Sequence, residues 1–102
     1  MHILKCREII EATNGKLISG NTGTVFKGVC TDSRKINEGD LFIPIVGSNF
    51  DGHDFINAAL QGGALGTVTD REISIAGDVV VIKVENTTKA LGDIAAYYRQ
   101  KF

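Results

Sequence analysis

Two short polar segments carry most of the side chains in this chain that could bind a ligand. The first is Thr31-Asp32-Ser33-Arg34, and the second, GSNFDGH, runs from Gly47 to His53. Hydroxyl, amide and carboxylate groups can pair with the polar edge of a ligand, and a guanidinium suits a phosphate. Gly47 and Gly52 of the second segment allow its backbone to follow a ligand closely. The two segments therefore indicate binding of a polar small molecule.

His53 lies between Gly52 and Asp54, a position that also fits a general base or a metal ligand. A general base needs a reacting proton within hydrogen-bond reach, and the sequence identifies no nucleophile or second metal ligand nearby. We favour a histidine that orders the loop and the start of the next helix by hydrogen bonding. Asp51 is expected to fix the same loop, and Asp54 to cap the helix.

The polar segments are joined through an apolar run, LFIPIV at residues 41–46, which is bounded by glycine and polar residues. Such a run predicts a buried strand with polar groups gathered at its two ends. Further strands are predicted at 16–18, 25–31, 65–69 and 79–84. Strands that alternate with helices at this spacing predict one α/β domain over residues 1–102, with three α/β/α layers and a mixed, partly parallel sheet.

Three helices are predicted between these strands. The first runs from about residue 3 to Thr13 and stops at Asn14-Gly15, and the second covers residues 54–61. The last is capped by Asn86 or Thr87. Apolar spacing assigns two inward faces, Phe55, Ala58 and Ala59 in the second helix and Leu91, Ile94, Ala95 and Tyr98 in the last.

Composition excludes several classes of function. The chain has 11 basic and 12 acidic residues, a net charge of −1, and no basic run longer than two, so a nucleic-acid surface is not expected. No apolar stretch approaches the ~18 residues of a membrane span, and we expect a cytoplasmic protein. Cys6 and Cys30 lack the spacing of a metal site and are expected to be reduced thiols.

The order of DSR at residues 32–34, GDLF at 39–42 and GSNFDGHDF at 47–55 resembles the N-terminal domain of the Mur ligases, ATP-dependent enzymes of peptidoglycan assembly. Within that family, Phe50 and the tail at 84–102 are most similar to the branch that joins D-alanyl-D-alanine to UDP-N-acetylmuramoyl (UDP-MurNAc) tripeptide. The branch that adds the third peptide residue is the alternative. A different class is a free-standing nucleotide-sugar or protein-binding module.

The resemblance implies a domain that recognises UDP-MurNAc. Its contacts would come from both polar segments: Thr31, Ser33, Arg34, Ser48, Asn49 and Phe50. Simpler roles stay open, namely turn hydrogen bonds for Ser33, pairing with Asp32 or Asp40 for Arg34, and core packing for Phe50.

The resemblance also implies that catalysis resides elsewhere. No residue of this chain is expected to be catalytic or to bind a metal. The full-length enzyme would use ATP and Mg²⁺, with ATP held by a central domain and the amino component bound with the help of a C-terminal domain, both absent from this chain. No G-x-x-x-x-G-K-[ST] phosphate loop occurs in the 102 residues. We therefore expect this first domain to be inactive on its own. In the longer enzyme its expected partners are the central and C-terminal domains, and the expected substrates are UDP-MurNAc-tripeptide and D-alanyl-D-alanine.

Overall fold

A five-stranded sheet organises the chain, in a computed structural model that describes residues 4–47, 51–75 and 77–101. In chain order the elements are β1 (Leu4–Lys5), α1 (Cys6–Thr13), β2 (Lys16–Ser19), β3 (Val25–Phe26), β4 (Gly28–Cys30), a 3-10 turn (Ser33–Lys35), β5 (Asp40–Phe42), a second 3-10 turn (Gly52–Phe55), α2 (Ile56–Gln61), β6 (Gly66–Thr69), β7 (Val80–Lys83) and α3 (Thr87–Lys101).

The large sheet is mixed, with strand order β2-β7-β6-β5-β4. Strands β4, β5, β6 and β7 run parallel to one another, and β2 joins β7 in the antiparallel direction. Strands β1 and β3 form a separate antiparallel ribbon. The predicted α/β fold with a partly parallel sheet is therefore confirmed.

Helices cover both faces of the sheet. Strand β5 shows how the faces divide, because Leu41 packs into a cluster with Cys6 and Ile9 of α1 and Ile94 of α3, whereas Phe42 packs into a second cluster with α2. Alternate residues of a strand point to opposite faces, so β5 supplies both clusters. The three predicted layers are present.

The first helix ends where predicted but begins later, at Cys6. Asn14 adopts a left-handed conformation with φ of 55°, and its N–H donates to the carbonyl of Ile10. Leu4 and Lys5 belong instead to the small ribbon, where they pair with Phe26 and Val25. Tertiary pairing has overridden the helical spacing of these residues.

Two predicted strands are shorter in the structure. Residues 25–31 form two strands in two different sheets, divided at Lys27, whose N–H donates to the carbonyl of Gly39 at 2.9 Å. The strand predicted at 41–46 ends at Phe42, although Ile43 and Pro44 stay buried. Pro44 has no N–H to donate, so regular strand pairing does not continue through it.

The second helix differs from its prediction at its start. Asp54 is not its cap, because a 3-10 turn covers Gly52–Phe55, and the Asp51 carboxylate accepts the His53 N–H. A 3-10 turn advances 120° per residue instead of 100°, which rotates the inward face. Ile56 and Ala59 are buried, whereas Phe55 is 44% exposed and Ala58 is also exposed, so the predicted face was right only for Ala59.

The last helix is capped by Asn86, whose side-chain oxygen accepts the Lys89 N–H at 2.9 Å. Ala90 and Ile94 are buried, Tyr98 packs against the same cluster, and Ala95 is exposed, contrary to its predicted inward position. Leu91 also packs against this cluster, so three of the four predicted inward positions are right. None of the helices within the described ranges has the length and apolar character needed to cross a membrane.

Candidate ligand-binding site

The first polar segment and the chain that leads to the second leave neighbouring strands at the same edge of the sheet. Thr31 follows β4 directly, and Ile43 follows β5, which lies parallel to β4. The Ile43 N–H donates to the carbonyl of Cys30 at 2.9 Å, so the chain leaves the two strands side by side, and the second polar segment begins four residues later, at Gly47. Ligands of open α/β sheets bind outside the carboxyl ends of parallel strands, which is where these segments lie.

Asp32 organises the first segment. Its carboxylate accepts the backbone N–H of Arg34 at 2.9 Å and two guanidinium N–H groups of the same residue, both at 3.1 Å. These hydrogen bonds to Arg34, aided by its positive charge and that of Lys35, hold the pKa of Asp32 below its usual value. Of the alternatives left open for Arg34, pairing with Asp32 is present in the structure, whereas Asp40 instead accepts the Asn37 N–H.

The other two members of this segment keep their hydroxyl groups available. Thr31 is exposed, and Ser33 is half-buried at the start of the 3-10 turn. The turn is closed by Asp32, through its carboxylate to Arg34 and its carbonyl to the Lys35 N–H at 2.9 Å. Among the described residues, the Ser33 hydroxyl has no hydrogen-bond partner. The hydrogen bonds that close the turn are made by Asp32 and not by Ser33.

The predicted contacts Ser48, Asn49 and Phe50 lie outside the described residues. Both flanks of this triplet are well defined, because Val46 and Asp51 pair in an antiparallel bridge and the Gly52 N–H donates to the carbonyl of Ile45 at 2.9 Å. A Cβ at Gly52 would lie only 2.6 Å from the Ile45 nitrogen. Glycine is therefore required where the returning chain contacts the segment that follows β5.

A polar network fastens the second flank to the end of β6. The His53 ring, with 4% of its side chain exposed, lies between two carboxylates: Nδ1 is 2.7 Å from Asp51 Oδ1 and Nε2 is 3.3 Å from Asp70 Oδ1. Arg71 Nη2 also pairs with Asp51 Oδ2. The His53 backbone N–H, its ring and Arg71 all stabilise the charged carboxylate, and the pKa of Asp51 falls to about 2.

This arrangement agrees with a histidine that orders the loop. Among the residues that the structure describes, no group of three or more His, Cys, Asp or Glu side chains is placed to hold a metal ion. Sequence reasoning missed Asp70 and Arg71, which stand just beyond β6 at the edge that also carries Thr31–Arg34. Their charged side chains directly after a strand were the signal available.

Comparison with known proteins gives a consistent result. A family model described as "Mur ligase family, catalytic domain" matches residues 25–99. The UDP-N-acetylmuramoyl-tripeptide–D-alanyl-D-alanine ligase of Synechocystis sp. is 47% identical over 75 residues, which are 72% of this chain and 16% of that protein. The UDP-N-acetylmuramoyl-L-alanyl-D-glutamate–2,6-diaminopimelate ligase of Clostridium perfringens is 32% identical over 92 residues, 90% of this chain and 19% of the relative.

Among solved structures, MurF from Acinetobacter baumannii superimposes with a TM-score of 0.88 at 27% identity. The match covers 99% of this chain and 22% of that protein. The chain therefore spans about a fifth of the length of the proteins it matches.

Proposed function

The chain belongs to the Mur ligase family, and we propose that it is the UDP-MurNAc-recognition domain of a ligase that adds D-alanyl-D-alanine to UDP-MurNAc-tripeptide during peptidoglycan synthesis in the cytoplasm. The observation that supports the proposal is that the first polar segment and the chain leading to the second follow the parallel strands β4 and β5 at the same edge of the sheet. The similarity to D-alanyl-D-alanine ligases over most of the chain supports the choice within the family.

In this proposal the first segment reads the uridine end of the ligand. Uracil presents a donor and acceptor edge, which the hydroxyl groups of Thr31 and Ser33 can pair with. The Arg34 guanidinium, held in place by Asp32 and 87% exposed, would reach the diphosphate. Ser48 and Asn49 would donate to the same diphosphate, and Phe50 would pack against the uracil ring.

We propose that this chain binds the substrate and does not itself catalyse the ligation. No G-x-x-x-x-G-K-[ST] phosphate loop occurs in the sequence, and among the described residues no group of three or more His, Cys, Asp or Glu side chains is placed to hold a metal ion. Binding of both, and the joining of D-alanyl-D-alanine, would belong to further domains of a longer protein.

The test is an NMR titration of the ¹⁵N-labelled 102-residue chain with UDP-MurNAc, with UDP and ATP as comparisons. We expect shifts at residues 31–34 and 47–51 with both uridine ligands and none with ATP. Affinity for UDP should be weak, about millimolar, because contacts from other domains are missing. Shifts with ATP alone, or no shift with UDP-MurNAc at several millimolar, would contradict the proposal.

Two serine variants separate binding from stability. Ser33→Ala should weaken UDP-MurNAc binding severalfold and leave the melting temperature unchanged, since its hydroxyl makes no described hydrogen bond. Ser19→Ala is the matched control, because the Ser19 hydroxyl donates to the carbonyl of Val79 at 2.9 Å on β2, at the opposite end of the sheet. It should lower the melting temperature and leave binding unchanged.

A ligase that adds diaminopimelate is the second candidate, favoured by the 32% identity over 90% of the chain. Both candidates share the nucleotide end of the substrate and differ in the amino component. Ligase assays of the longer protein with D-alanyl-D-alanine and with diaminopimelate would decide between them, and turnover with diaminopimelate alone would reject the first proposal.

A further inference from the structure

Asn14 is the only asparagine of the chain that is followed by glycine. This pair is especially prone to deamidation, because glycine has no side chain to hinder the attack of its backbone nitrogen on the asparagine side chain. Asn14 is also exposed, so water and hydroxide reach it in the folded protein. The sequence and the exposure together make Asn14 a candidate site of chemical modification, and the local geometry decides when the reaction can occur.

The reaction uses only water and hydroxide. Hydroxide removes the proton of the Gly15 backbone nitrogen, which attacks the side-chain carbonyl carbon of Asn14 and closes a five-membered succinimide ring. The bond from that carbon to the side-chain amide nitrogen breaks, and the nitrogen takes a proton from water and leaves as ammonia. A second water molecule then opens the ring at either carbonyl, which gives aspartate or isoaspartate at position 14.

The backbone at the end of α1 opposes ring closure. Asn14 has φ of 55° and ψ of 32°, which places the Gly15 nitrogen nearly opposite the Asn14 Cβ across the Cα–C bond. Ring closure needs this nitrogen and the Cβ on the same side of that bond, so ψ must rotate far from its folded value. In addition, the Gly15 N–H donates to the carbonyl of Ile10 at 3.1 Å, which holds the proton that the reaction must remove.

The Asn14 ψ torsion joins two elements that the core holds in place. On one side, Ile9 anchors α1 in the buried cluster, and the Thr13 hydroxyl donates to the Ile9 carbonyl at 2.8 Å. On the other side, Lys16 pairs with Lys83 of β7. A large change in ψ would swing α1 and β2 relative to each other. The reactive geometry therefore requires the end of α1 to leave the sheet.

We propose that Asn14 is a deamidation site that the fold keeps closed and that reacts only when the end of α1 detaches from the sheet. Such local openings occur below the free energy of global unfolding. The modification then accumulates in proportion to the population of the opened state, and the loss of ammonia makes it irreversible. This inference is independent of the proposed function, because it involves neither the ligand nor the two polar segments.

The isoaspartyl product cannot restore the original contacts. Isoaspartate adds one carbon atom to the main chain directly before Gly15, where a Cβ would already lie 2.7 Å from Ile82 Cγ2 and 2.9 Å from Thr13 Oγ1. The new carboxylate also joins Glu85 and Asp93 around one small cleft. A chain that has reacted in the opened state should therefore keep a destabilised end of α1.

The first test compares folded and unfolded chains in mildly alkaline buffer. The 102-residue chain is incubated with and without urea, and a synthetic peptide of residues 11–16 in both buffers corrects for any effect of urea on the chemistry. Mass spectrometry of proteolytic fragments measures conversion at Asn14, and isomerisation at Asp51-Gly52 does not contribute because it leaves the mass unchanged. We expect the folded chain to react at least about tenfold more slowly than the urea-unfolded chain. Equal rates for the folded chain and the peptide would overturn the proposal.

Two matched variants locate the opening. Ile9→Val and Ile56→Val each remove one carbon from a buried isoleucine, the first in the α1 cluster and the second in the α2 cluster on the other face of the sheet. Ile9→Val should raise the rate in the folded chain about two- to tenfold, in line with the usual cost of this substitution. Ile56→Val should leave the rate unchanged. An equal rise in both variants would overturn the assignment of the opening to the end of α1.

The effect of the product is tested separately. The isoaspartyl chain, purified after reaction in urea and refolded, is compared with Asn14→Asp, which carries the same added charge on a normal backbone. We expect the isoaspartyl chain to have the lower melting temperature, because only its backbone is lengthened. Equal melting temperatures would show that the end of α1 re-forms after modification and would overturn this part of the inference.

Discussion

At the residue scale, neighbouring side chains of the first polar segment have separate roles. Asp32 closes the turn and holds the Arg34 guanidinium, whereas the Ser33 hydroxyl is left without a described partner. The sequence alone could not assign these roles, because Asp and Ser both form turn hydrogen bonds and either could have closed the turn. The geometry decides between them, since only the Asp32 carboxylate reaches the Arg34 N–H.

The Asp51 carboxylate makes the stability of the folded protein vary with pH in the acid range. Its pKa falls from an ordinary 3.8 to about 2, so its charged form stabilises the folded state above pH 4, and that contribution is lost as the pH falls towards 2. We predict that Asp51→Asn unfolds at lower urea concentration than the wild type above pH 4. The gap between their urea midpoints should close between pH 4 and pH 2.

The matched control is Asp78→Asn, at an exposed turn. Its urea midpoint should stay close to that of the wild type throughout this pH range. A gap for Asp51→Asn that stays constant down to pH 2 would show that the carboxylate charge is not what stabilises the loop.

Gly52 is predicted to tolerate no side chain. A Cβ there would lie 2.6 Å from the nitrogen and 2.9 Å from the oxygen of Ile45, and backbone atoms cannot move aside as a flexible side chain can. Gly52→Ala should therefore cost about 1–3 kcal/mol of unfolding free energy in urea. Gly92→Ala in α3, where nothing lies within 4 Å, should instead add about 0.5–1 kcal/mol. Equal effects of the two substitutions would contradict the assigned contact.

At the scale of elements, the sequence predicted the number of helices and the strands of the main sheet, but not their ends. Asn14-Gly15 was a reliable stop because the left-handed conformation is a local property of Asn and Gly. The element ends that were predicted wrongly depend on pairing with residues that are distant in the sequence. Leu4 and Lys5 became a strand through pairing with β3, and Lys27 divides two strands because its N–H reaches Gly39.

The contact between α1 and α3 is predicted to weaken in alkali. The Tyr98 hydroxyl lies 3.1 Å from Glu8 Oε1, and burial, together with that hydrogen bond and the negative charge of Glu8, raises the pKa of Tyr98. The neutral phenol therefore stabilises the fold fully below its ordinary pKa of 10, and this contribution declines as the pH rises above 10. Tyr98→Phe should lose about 1 kcal/mol at pH 7.

The same comparison at higher pH provides the check. The difference in unfolding free energy between the wild type and Tyr98→Phe, measured in urea, should shrink between pH 9 and pH 11. Tyr97→Phe is the control, since the Tyr97 hydroxyl makes a longer contact of 3.4 Å with Glu11 at an exposed position. A wild-type advantage that persists unchanged at pH 11 would contradict the assigned role of Tyr98.

At the scale of the whole molecule, the candidate site follows from chain direction. Strands β4, β5 and β6 are parallel, so the segments after all three emerge at one edge. The sequence predicted two of these segments from their polar residues. It could not predict the third, Asp70-Arg71, because its place beside His53 depends on β6 lying next to β5 in the sheet, and strand order is not a local property of the chain.

The two apolar clusters are predicted to unfold together, because every parallel strand from β5 to β7 contributes side chains to both faces of the sheet. Phe42 lies in the α2 cluster, whereas both tyrosines are on α3, on the opposite face. Phe42→Ala should cost about 3–5 kcal/mol, a large share of the ~5–15 kcal/mol typical of a domain. Phe55→Ala, which removes a 44% exposed ring, is the control and should cost far less.

The spectroscopic comparison makes the prediction of joint unfolding specific. Tyrosine fluorescence reports the α3 face and far-ultraviolet circular dichroism reports the whole chain, because the protein has two tyrosines and no tryptophan. If the faces form one cooperative unit, Phe42→Ala should shift the urea midpoints of both signals by the same amount. An unchanged tyrosine midpoint with an early loss of circular dichroism would mean that the α2 face opens on its own. Strand β5 would then not couple the two clusters.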